Sequence, residues 1–390
     1  MKLIDITGKA ISGEWGNDCE DGNGIPVLRT TNFTDTGVIN FANVVLRDIP
    51  PKDLSKKFLR PGDIIIEKSG GSDTKPVGRV AYFDSEENKY LINNFTGLLR
   101  VVDQTKWYPR YVFYALFANY SFGGTRQYEN KTTGLHNLKL DQYLNSFDIP
   151  DVDFQLQHHI ADTLDKVSEG IEVCRRMLGE LDLMVKAKFV EMFGDPMLNP
   201  NRYALKKYGE LFELNAGGTP SKAKPEYWEN GIISWIGSNL CQNTILYEND
   251  GKYISQEGYE HSSARLFPVD TVLIALVGAT IGKTALLKFE TSTNQNVLGI
   301  RKIAEAGYNP LFVFYFTQFL YPKFLNIGDG GFNMASKGFV SELPMYDIDI
   351  EKQNEFAEFA KLLDKSKLTI QGILDKMETE KLALMQEYFG

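Results

Sequence analysis

The sequence predicts an α+β protein in which two pseudo-symmetric globular domains are joined by two long helices forming an antiparallel coiled coil. Three observations support this fold class. The chain is an internal repeat, the larger first part of each repeat carries short β-rich runs, and its last part shows apolar residues alternately four and three positions apart. The predicted globular domains occupy residues 1–150 and 195–346, and the predicted helices occupy 151–194 and 347–390.

The repeat is visible in matched strings whose offset shrinks along the chain. GIPVLRTTNF at 24–33 lies over GIISWIGSNL at 231–240, and YVFYAL at 111–116 lies over FVFYFT at 312–317. The offset then becomes constant from Gln157 and Gln353 to Gly194 and Gly390. Two homologous units with loops of different length explain this behaviour, so the sequence predicts a duplicated architecture.

Within each globular domain, β-rich runs such as 63–67 and 272–277 are broken by Gly, Asn and Asp clusters. One helical run lies near the end of each domain. We expect Pro109 and Pro310 to begin that run, because proline is favoured at the first position of a helix.

Two segments of about 38 residues follow the globular domains and carry the coiled-coil spacing, long enough for helices of roughly 55 to 60 Å. The residues predicted to pair the helices are Ile160, Leu164, Val167, Ile171, Leu178, Leu181, Leu363, Ile370, Leu374, Met377 and Leu384. Lys367 and Lys381 interrupt the seam, the row of apolar pairing residues, of the second helix.

The ends of the helices are also marked in the sequence. Asp153 and Asp349 are candidate N-caps, and Gly194 with Pro196 ends the first helix. The alternative is two amphipathic helices packed separately on their own domains.

Composition narrows the class of protein. With 43% hydrophobic and 24% charged residues among 390, the chain is typical of globular proteins and not of disordered or collagen-like ones. The sequence contains neither a membrane-length apolar run nor a secretory signal at its start, so we expect a cytoplasmic protein. The three cysteines and four histidines are scattered, which predicts neither disulfides nor a metal site.

The net charge of −9 argues against a nucleic-acid partner until it is divided by segment. Most of the excess negative charge lies in the two predicted helices, at 151–194 and 347–390. The two globular domains are nearly neutral and can carry local basic patches.

Two strings resemble catalytic motifs without completing them. GATIGKT at 278–284 is one residue short of the phosphate-binding pattern GxxxxGK[ST], and a turn between strands explains it better. NPLF at 309–312 lacks the second proline of the [DN]PP[FYW] motif of amino-methyltransferases. The sequence therefore predicts a binding protein and not an enzyme.

Polar, glycine-rich loops are the better candidates for function, because glycine allows close approach to a ligand and Arg, Lys, Asn and Gln read base edges or phosphates. The strings are 68–79 and 123–139 in the first domain, and 217–228 and 328–337 in the second. The predicted DNA-binding residues are Lys75, Arg79, Arg126, Gln127, Asn130, Lys131, His136, Lys222, Lys224, Lys283, Asn333, Ser336 and Lys337. A lone surface lysine more often faces solvent, and Asn294, Gln295 and Asn296 fit turns at strand ends equally well.

Four strings resemble those of a known family, the DNA specificity (S) subunits of type I restriction-modification systems. They are GGTPSKAKPEYWENGIISWIGSNL at 217–240, the VGATIGKT turn, SELPMYDIDIEKQNEF at 341–356 and KAKFVEMFGDP at 186–196. The resemblance covers nearly the whole chain, although the start of the first domain, AISGEWGNDCEDGNG at 10–24, departs from the GGTPS pattern.

The resemblance implies a non-catalytic subunit with two target recognition domains, each engaging one half of a split site in double-stranded DNA. The paired helices then act as a ruler, as half-site spacing does for dimeric repressors. It further implies two modification (methyltransferase) subunits, restriction (endonuclease/translocase) subunits, and no cofactor on this chain. S-adenosylmethionine, ATP and Mg are expected on those partners.

Helix residues outside the seam, namely Leu183, Phe189, Phe193, Met385 and Phe389, are candidates for docking these partner subunits. Two alternatives for the function stay open. One is the specificity subunit of a methylation-only assembly, and the other is a DNA-binding adaptor unrelated to restriction.

Overall fold

The computed structural model describes residues 1–50, 52–132, 135–302, 307–327 and 334–390, except for the side chains of residues 131, 132 and 302. The chain forms two compact units. Unit 1 comprises Met1–Arg176 and Gln371–Gly390, and unit 2 comprises Met177–Ile370. Each unit contains one predicted globular domain, called head 1 (1–150) or head 2 (195–346), together with part of each predicted long helix.

Head 1 is built mainly from short strands. They are β1 (Ile11–Ser12), β2 (Asn17–Asp18), β3 (Ile25–Leu28), β4 (Val45–Asp48), β5 (Ile64–Glu67), β6 (Ser69–Gly71), β7 (Val80–Tyr82), β8 (Leu91–Ile92), β9 (Thr96–Leu99), β10 (Glu129–Thr132) and β11 (Leu135–Leu138). Its helices are α1 (Leu3–Thr7), α2 (Pro109–Ser121) and α3 (Leu140–Ser146), and the long helix α4 (Phe154–Phe193) follows and continues into unit 2.

The strands of head 1 form three sheets, with orders β1-β9-β5-β7, β2-β4-β3-β8 and β10-β11-β6. Strand β5 lies in the middle of the core, since Ile64, Ile65 and Ile66 are all fully buried. Because side chains alternate along a strand, Ile64 and Ile66 pack with α2 while Ile65 packs with Leu28 of the second sheet.

Head 2 repeats this construction. Its strands are β12 (Leu205–Lys207), β13 (Phe212–Ala216), β14 (Ile233–Ile236), β15 (Thr244–Leu246), β16 (Tyr253–Ile254), β17 (Leu266–Phe267), β18 (Val272–Ala275), β19 (Thr284–Leu287), β20 (Thr291–Thr293), β21 (Val297–Lys302) and β22 (Pro344–Tyr346). Its helices are α5 (Tyr208–Leu211), α6 (Gln256–Glu260), α7 (Pro310–Phe319), α8 (Tyr321–Leu325) and α9 (Lys337–Ser341), followed by the long helix α10 (Ile350–Phe389).

The sheet orders show that the two heads are copies. In head 2 the central sheet runs β13-β21-β18-β19-β15, which is the order β1-β9-β5-β7 of head 1 with one strand added. The parallel pair β14 and β20 corresponds to β3 and β8. Pro109 and Pro310 begin the equivalent helices α2 and α7, as expected. The internal repeat predicted from the sequence is thereby confirmed.

Both long helices have the predicted extent. Each has 40 residues, or about 60 Å at 1.5 Å per residue. Asp153 caps α4, because its Oδ1 accepts a hydrogen bond from the Leu156 amide at 2.9 Å. Gly194 follows the last residue of α4 with a φ of 72°, a left-handed conformation that glycine adopts without strain.

In unit 1, the start of α4 packs beside the end of α10. Ile160, Ala161 and Leu164 share one buried cluster with Met385 and with α2. Further along, Gly170 lies so close to Met377 that a Cβ added at Gly170 would sit 2.1 Å from the methionine Cε. Arg175 donates to Glu378 at 2.7 Å. The helices of unit 1 therefore run in opposite directions.

In unit 2, the end of α4 packs beside the start of α10. The Phe189 and Phe356 rings meet with centroids 5.1 Å apart, and Lys367 pairs with Asp182. Residue numbers again rise along one helix as they fall along the other, which confirms the predicted antiparallel coiled coil. Of the predicted pairing residues, Ile160, Leu164, Ile171 and Leu374 are buried, and the other seven are partly buried.

The proposed docking residues require a correction. Phe189 and Phe193 are fully buried against Phe312 of head 2, and Met385 is buried in unit 1. The prediction that these three form a free docking surface is wrong, because the part of each long helix that lies in a unit packs on the head of that unit as well as on the other helix. Leu183 is 66% exposed.

In the described ranges, the long helices are too polar to qualify as membrane spans, and the remaining helices are too short. Cys19, Cys174 and Cys241 are free thiols.

Candidate nucleic-acid interface

The two glycine-rich strings of head 1 are neighbours in space. Strand β11, from the second string, pairs with β6, from the first, through the positions His136 opposite Gly71 and Asn137 opposite Ser69. Strand β10 completes this three-stranded sheet by pairing with β11. The loop 72–79, between β6 and β7, therefore lies beside the turn 124–128 that precedes β10.

The exposed cations of this region sit on the loop and the turn. Lys75 is 71% exposed, and its Nζ lies 3.5 Å from an Asp35 carboxylate oxygen. Arg126 is exposed and donates to the carbonyls of Asp73 and Thr74 at 3.3 and 3.4 Å. Gln127 and Asn130 are also exposed. Lys131 lies in β10 opposite His136, and its side chain is outside the described part.

His136 and Arg79 are bound inside head 1. His136 is 7% exposed, and its Nδ1 lies 3.0 Å from Glu129 Oε2, while Glu129 Oε1 accepts from the Val77 amide at 2.9 Å. Arg79 donates to the carbonyls of Thr30 and Phe33 at 2.8 and 3.3 Å. These contacts hold the loop 72–79 in place, so both residues fit a supporting role.

Burial changes the titration of the groups under the same loop. Glu67 is 6% exposed, and desolvation raises its pKa, although Arg79 lies 3.6 Å away and opposes the shift. Lys68 is next to it, and burial lowers its pKa. Both pKa shifts have the same cause, since burial beneath the loop disfavours the charged form of each group.

Sequence reasoning missed Phe95. Its side chain is 50% exposed, and its backbone carbonyl accepts from the Lys68 amide at 2.8 Å, at the edge of β6. The position matches Asn296 in head 2, which follows the equivalent strand β20. The sequence signal that could have identified Phe95 is this alignment with a polar turn of head 2. An exposed aromatic residue in such a turn is suited to stacking on a nucleic-acid base.

In head 2, the parallel pairing of β14 and β20 brings their carboxyl ends to one edge. Thr219 donates to Gln295 at 2.6 Å, and Lys283 donates to Gln242 at 2.8 Å. The loops 217–222, 237–243, 278–283 and 294–296 thus gather at one edge of the head. Lys222 is exposed, while the exposed Lys224 donates to the Tyr227 hydroxyl at 2.7 Å, which raises the lysine pKa.

The last string of head 2 reaches the same region. A bridge between Val277 and Met334 joins it to the turn at 278–280. Ser336 is the N-cap of α9, accepting from the Phe339 amide at 3.0 Å, and Lys337 is exposed. Asn333 lies outside the described residues.

The string GATIGKT joins two strands. A short turn at 278–280 leads into β19 at Thr284, and Gly278 and Gly282 take left-handed φ values of 70° and 75°. A phosphate-binding loop leads into a helix, whose N-terminal amides hold the phosphate. The interpretation of this string as a turn between strands is confirmed. Among the described residues, no group of three or more His, Cys, Asp or Glu side chains could hold a metal ion.

Comparison with known proteins finds one family. Residues 200–379 match the family model of the type I restriction modification DNA specificity domain. The chain is 29% identical over 158 residues to the EcoR124I/EcoR124II type I restriction enzyme specificity subunit of Escherichia coli. It is 32% identical over 124 residues to the MjaIX type I restriction enzyme specificity subunit of Methanocaldococcus jannaschii. These stretches cover 39% and 31% of this chain, and 38% and 28% of the relatives.

Solved structures match along the whole chain. The S subunit of a type I restriction-modification system from M. genitalium aligns with a TM-score of 0.58 and 14% identity, covering 100% of this chain and 95% of that one. A second structure, described as the basis of complex assembly and conformational transition of the type I R-M system, aligns with a TM-score of 0.52 and 14% identity. It covers 100% of this chain and 96% of the other. This similarity confirms the fold class.

Proposed function

We propose that this chain is a member of the family of type I restriction-modification DNA specificity subunits and that it recognises a bipartite, gapped DNA target. Each head reads one half of the target. The observation that carries the proposal is the match of residues 200–379 to a DNA specificity domain. Head 1 repeats the sheet order of that domain, which supports the same role for residues 1–150.

The exposed loop residues are the proposed DNA contacts. In head 1 these are Lys75, Arg126, Gln127 and Asn130 on the loop 72–79 and the turn and strand beside it. In head 2 the proposed contacts are the exposed Lys222, Ser336 and Lys337, together with the half-buried Lys283. Arginine suits a guanine edge and the lysines suit phosphates, while Arg79 and His136 hold the loop that carries Lys75.

The paired helices are the proposed ruler between the heads. Coiled-coil pairing stiffens two helices over their shared seam, and a stiff spacer sets the number of unread base pairs between two half-sites. The helices carry most of the excess negative charge of the chain, which suits contact with protein better than contact with DNA.

The proposed partners supply the chemistry. Two modification subunits would methylate adenine with S-adenosylmethionine, and restriction subunits would use ATP and Mg, while this chain itself would bind none of these cofactors. The proposed place of action is the cytoplasm. Calorimetric titration of the isolated chain with S-adenosylmethionine or ATP tests whether this chain binds either cofactor, and we expect no binding heat.

The function is tested by sequencing DNA methylation in the host with and without this chain. We expect one gapped motif to be methylated only when the chain is present. Methylation that does not depend on the chain would overturn the proposal. Duplex binding should also weaken steeply with salt, because cations that contact phosphates release bound counterions.

A further inference from the structure

The first turn of each long helix buries one glutamine. Gln157 of α4 is 1% exposed, and its side-chain amide uses both of its donors and its acceptor. Its Oε1 accepts from the Tyr108 amide at 2.9 Å, and its Nε2 donates to the carbonyls of Lys106 and Val152, both at 3.0 Å. Every partner is a backbone group.

Gln353 of α10 makes the same three contacts in unit 2. It is fully buried, and its Oε1 accepts from the Asn309 amide at 3.0 Å. Its Nε2 donates to the carbonyls of Ile348 at 2.8 Å and Gly307 at 3.3 Å. The arrangement is therefore a repeated joint, kept in both units although most residues around it differ between them.

Each glutamine links three stretches of backbone, namely the segment before the head helix, the segment before the long helix and the first turn of the long helix itself. Tyr108 and Asn309 immediately precede α2 and α7, which form the buried helical layer of each head. Val152 and Ile348 lie in the segments that lead into the long helices. Each glutamine thus connects the start of a long helix to the start of the head helix that packs on it.

A fully satisfied buried amide has a strong directional preference. A buried amide is unfavourable unless its hydrogen-bond partners are all present, so small rotations of the long helix against the head would leave three backbone groups and the amide unpaired. Apolar packing alone tolerates such rotations better, because it has no preferred direction. The joint therefore holds one angle between helix and head.

We propose that Gln157 and Gln353 are positioning residues that fix the angle at which each head meets its long helix, and thereby the base-pair gap at which both heads engage DNA. The inference rests on the proposed function. Neither residue contacts DNA in this proposal. Successive base pairs are 3.4 Å apart and rotated by roughly 35°, so a head that swings on its helix can reach a half-site one base pair away from the correct one.

The test compares Gln157→Leu with a matched control, Gln155→Leu, which changes an exposed glutamine in the same helical turn. Methylated motifs are sequenced in hosts that carry each variant in the full complex. For Gln157→Leu we expect sites with a gap one base pair shorter or longer to become methylated, with the preference for the correct gap reduced about tenfold, roughly the effect of one lost contact. The half-site sequences should not change, and the control should behave like the native chain.

A purely structural role gives a different result, since a destabilised protein methylates all sites less without accepting new gaps. Hydrogen exchange of the full chain separates the cases. The Tyr108 amide should exchange faster in Gln157→Leu while β5 stays protected. Gln157→Asn is made as well, because it keeps an amide in the buried site and lessens the risk of unfolding.

A single unchanged gap in a folded variant whose Tyr108 amide has lost protection would overturn the inference. So would loss of methylation at every gap equally. Failure of the proposed function itself looks different, because the native chain would then direct no methylation at all.

Discussion

Arg126 and His136 come from the same glycine-rich string, and the fold gives them different surroundings. Arg126 lies at the surface, where two of its N–H groups hold the carbonyls of Asp73 and Thr74 and its remaining donors are available to a ligand. His136 lies beneath, against Glu129. In the proposed function, Arg126 therefore contacts DNA directly and His136 supports the loop.

Replacing Arg126 with alanine should weaken recognition of one half-site. A bidentate contact between arginine and a base contributes about 1–3 kcal/mol of discrimination, so affinity should fall between roughly fivefold and 150-fold. Preference at the other half-site should stay unchanged. Competition binding against duplexes mutated in one half-site measures both effects. Lys89→Ala is the control, because Lys89 is exposed in the same head and pairs with Glu86.

The salt dependence of the Arg126→Ala variant separates the two kinds of contact. If Arg126 contacts a phosphate, the variant should bind every sequence less tightly and lower the salt slope by about one. Equal loss of preference at both half-sites would contradict modular reading by two heads.

At this scale the sequence predicts residue types but not their exposure. Glycine-rich loops with cations and amides are recognisable in it, and Lys75, Arg126 and Lys222 do lie at the surface. Arg79 cannot be separated from them by sequence, because its partner Thr30 lies 49 residues away along the chain. His136 cannot be separated either, because its neighbour Glu129 is held in turn by the amide of Val77, 52 residues away. Phe95 is easily overlooked because an isolated aromatic residue is usually assigned to the core.

Among the elements, α4 and α10 contain glycines that differ in their surroundings. A Cβ added at Gly179 or Gly372 would meet no described atom within 4 Å, whereas at Gly170 it would meet Met377. Gly179→Ala and Gly372→Ala should each stabilise the protein by about 0.8–1 kcal/mol, the difference in helix propensity. Gly170→Ala should gain less, because Met377 must move. Urea unfolding measures the three variants, and equal gains would contradict the close approach at Gly170.

Lys381 should make unit 1 more stable as the pH rises. It lies in the seam of α10, over the rings of Phe117 and Tyr114, and burial lowers its pKa to about 8, with Arg110 and Arg175 adding to the shift and Asp165 and Glu172 opposing it. Because the unfolded lysine titrates near 10.4, the unfolded state binds more protons above pH 8. The free energy of unfolding should therefore increase between about pH 8 and about pH 10.4, the interval between the folded and unfolded pKa values.

Lys381→Met should remove this rise and stabilise the protein at pH 7 by about 1–3 kcal/mol, since a tenfold change in the proton affinity of a side chain corresponds to about 1.4 kcal/mol. Lys367→Met is the matched control. It removes a seam lysine that pairs with the exposed Asp182, so the change should stay within about 1 kcal/mol. Thermal unfolding across the pH range measures both variants, and a parallel rise in Lys381→Met would contradict the assignment.

The long helices are the elements that the sequence predicts best, because their apolar spacing, caps and stop signals are all local. The strands of the heads are predictable only as a class. The hairpin of β10 and β11 is joined to β6 across more than 60 residues, and a pairing of that range leaves no periodic signal in the sequence.

For the whole molecule, the antiparallel pairing can be predicted because the chain is a repeat: its two long helices carry the same apolar spacing, and each can cover the apolar seam of the other. The predicted docking surface is wrong for Phe189, Phe193 and Met385, since a helix of this fold has two apolar contacts and not one. One face meets the other helix and an adjoining face meets the head. A sequence pattern shows that a residue is apolar but not which of these surfaces covers it.

Lengthening the paired helices should lengthen the DNA gap. Lys367 pairs with Asp182 in unit 2, so the level of Leu178, one turn earlier on α4, lies opposite Ile370 on α10. One heptad inserted after Leu178 and another after Ile370 keep the seam in phase and add about 10.5 Å, or about three base pairs of DNA. The methylated motif should keep its half-site sequences and gain about three unread base pairs.

The control inserts a heptad after Leu178 alone. It leaves α4 longer than α10, so the two seams cannot pair along their whole length, and methylation should fall at every gap. An unchanged gap in the double insertion would show that the helices do not measure the distance between the heads. A lengthened gap with altered half-site sequences would instead show that the heads do not read DNA independently of the helices.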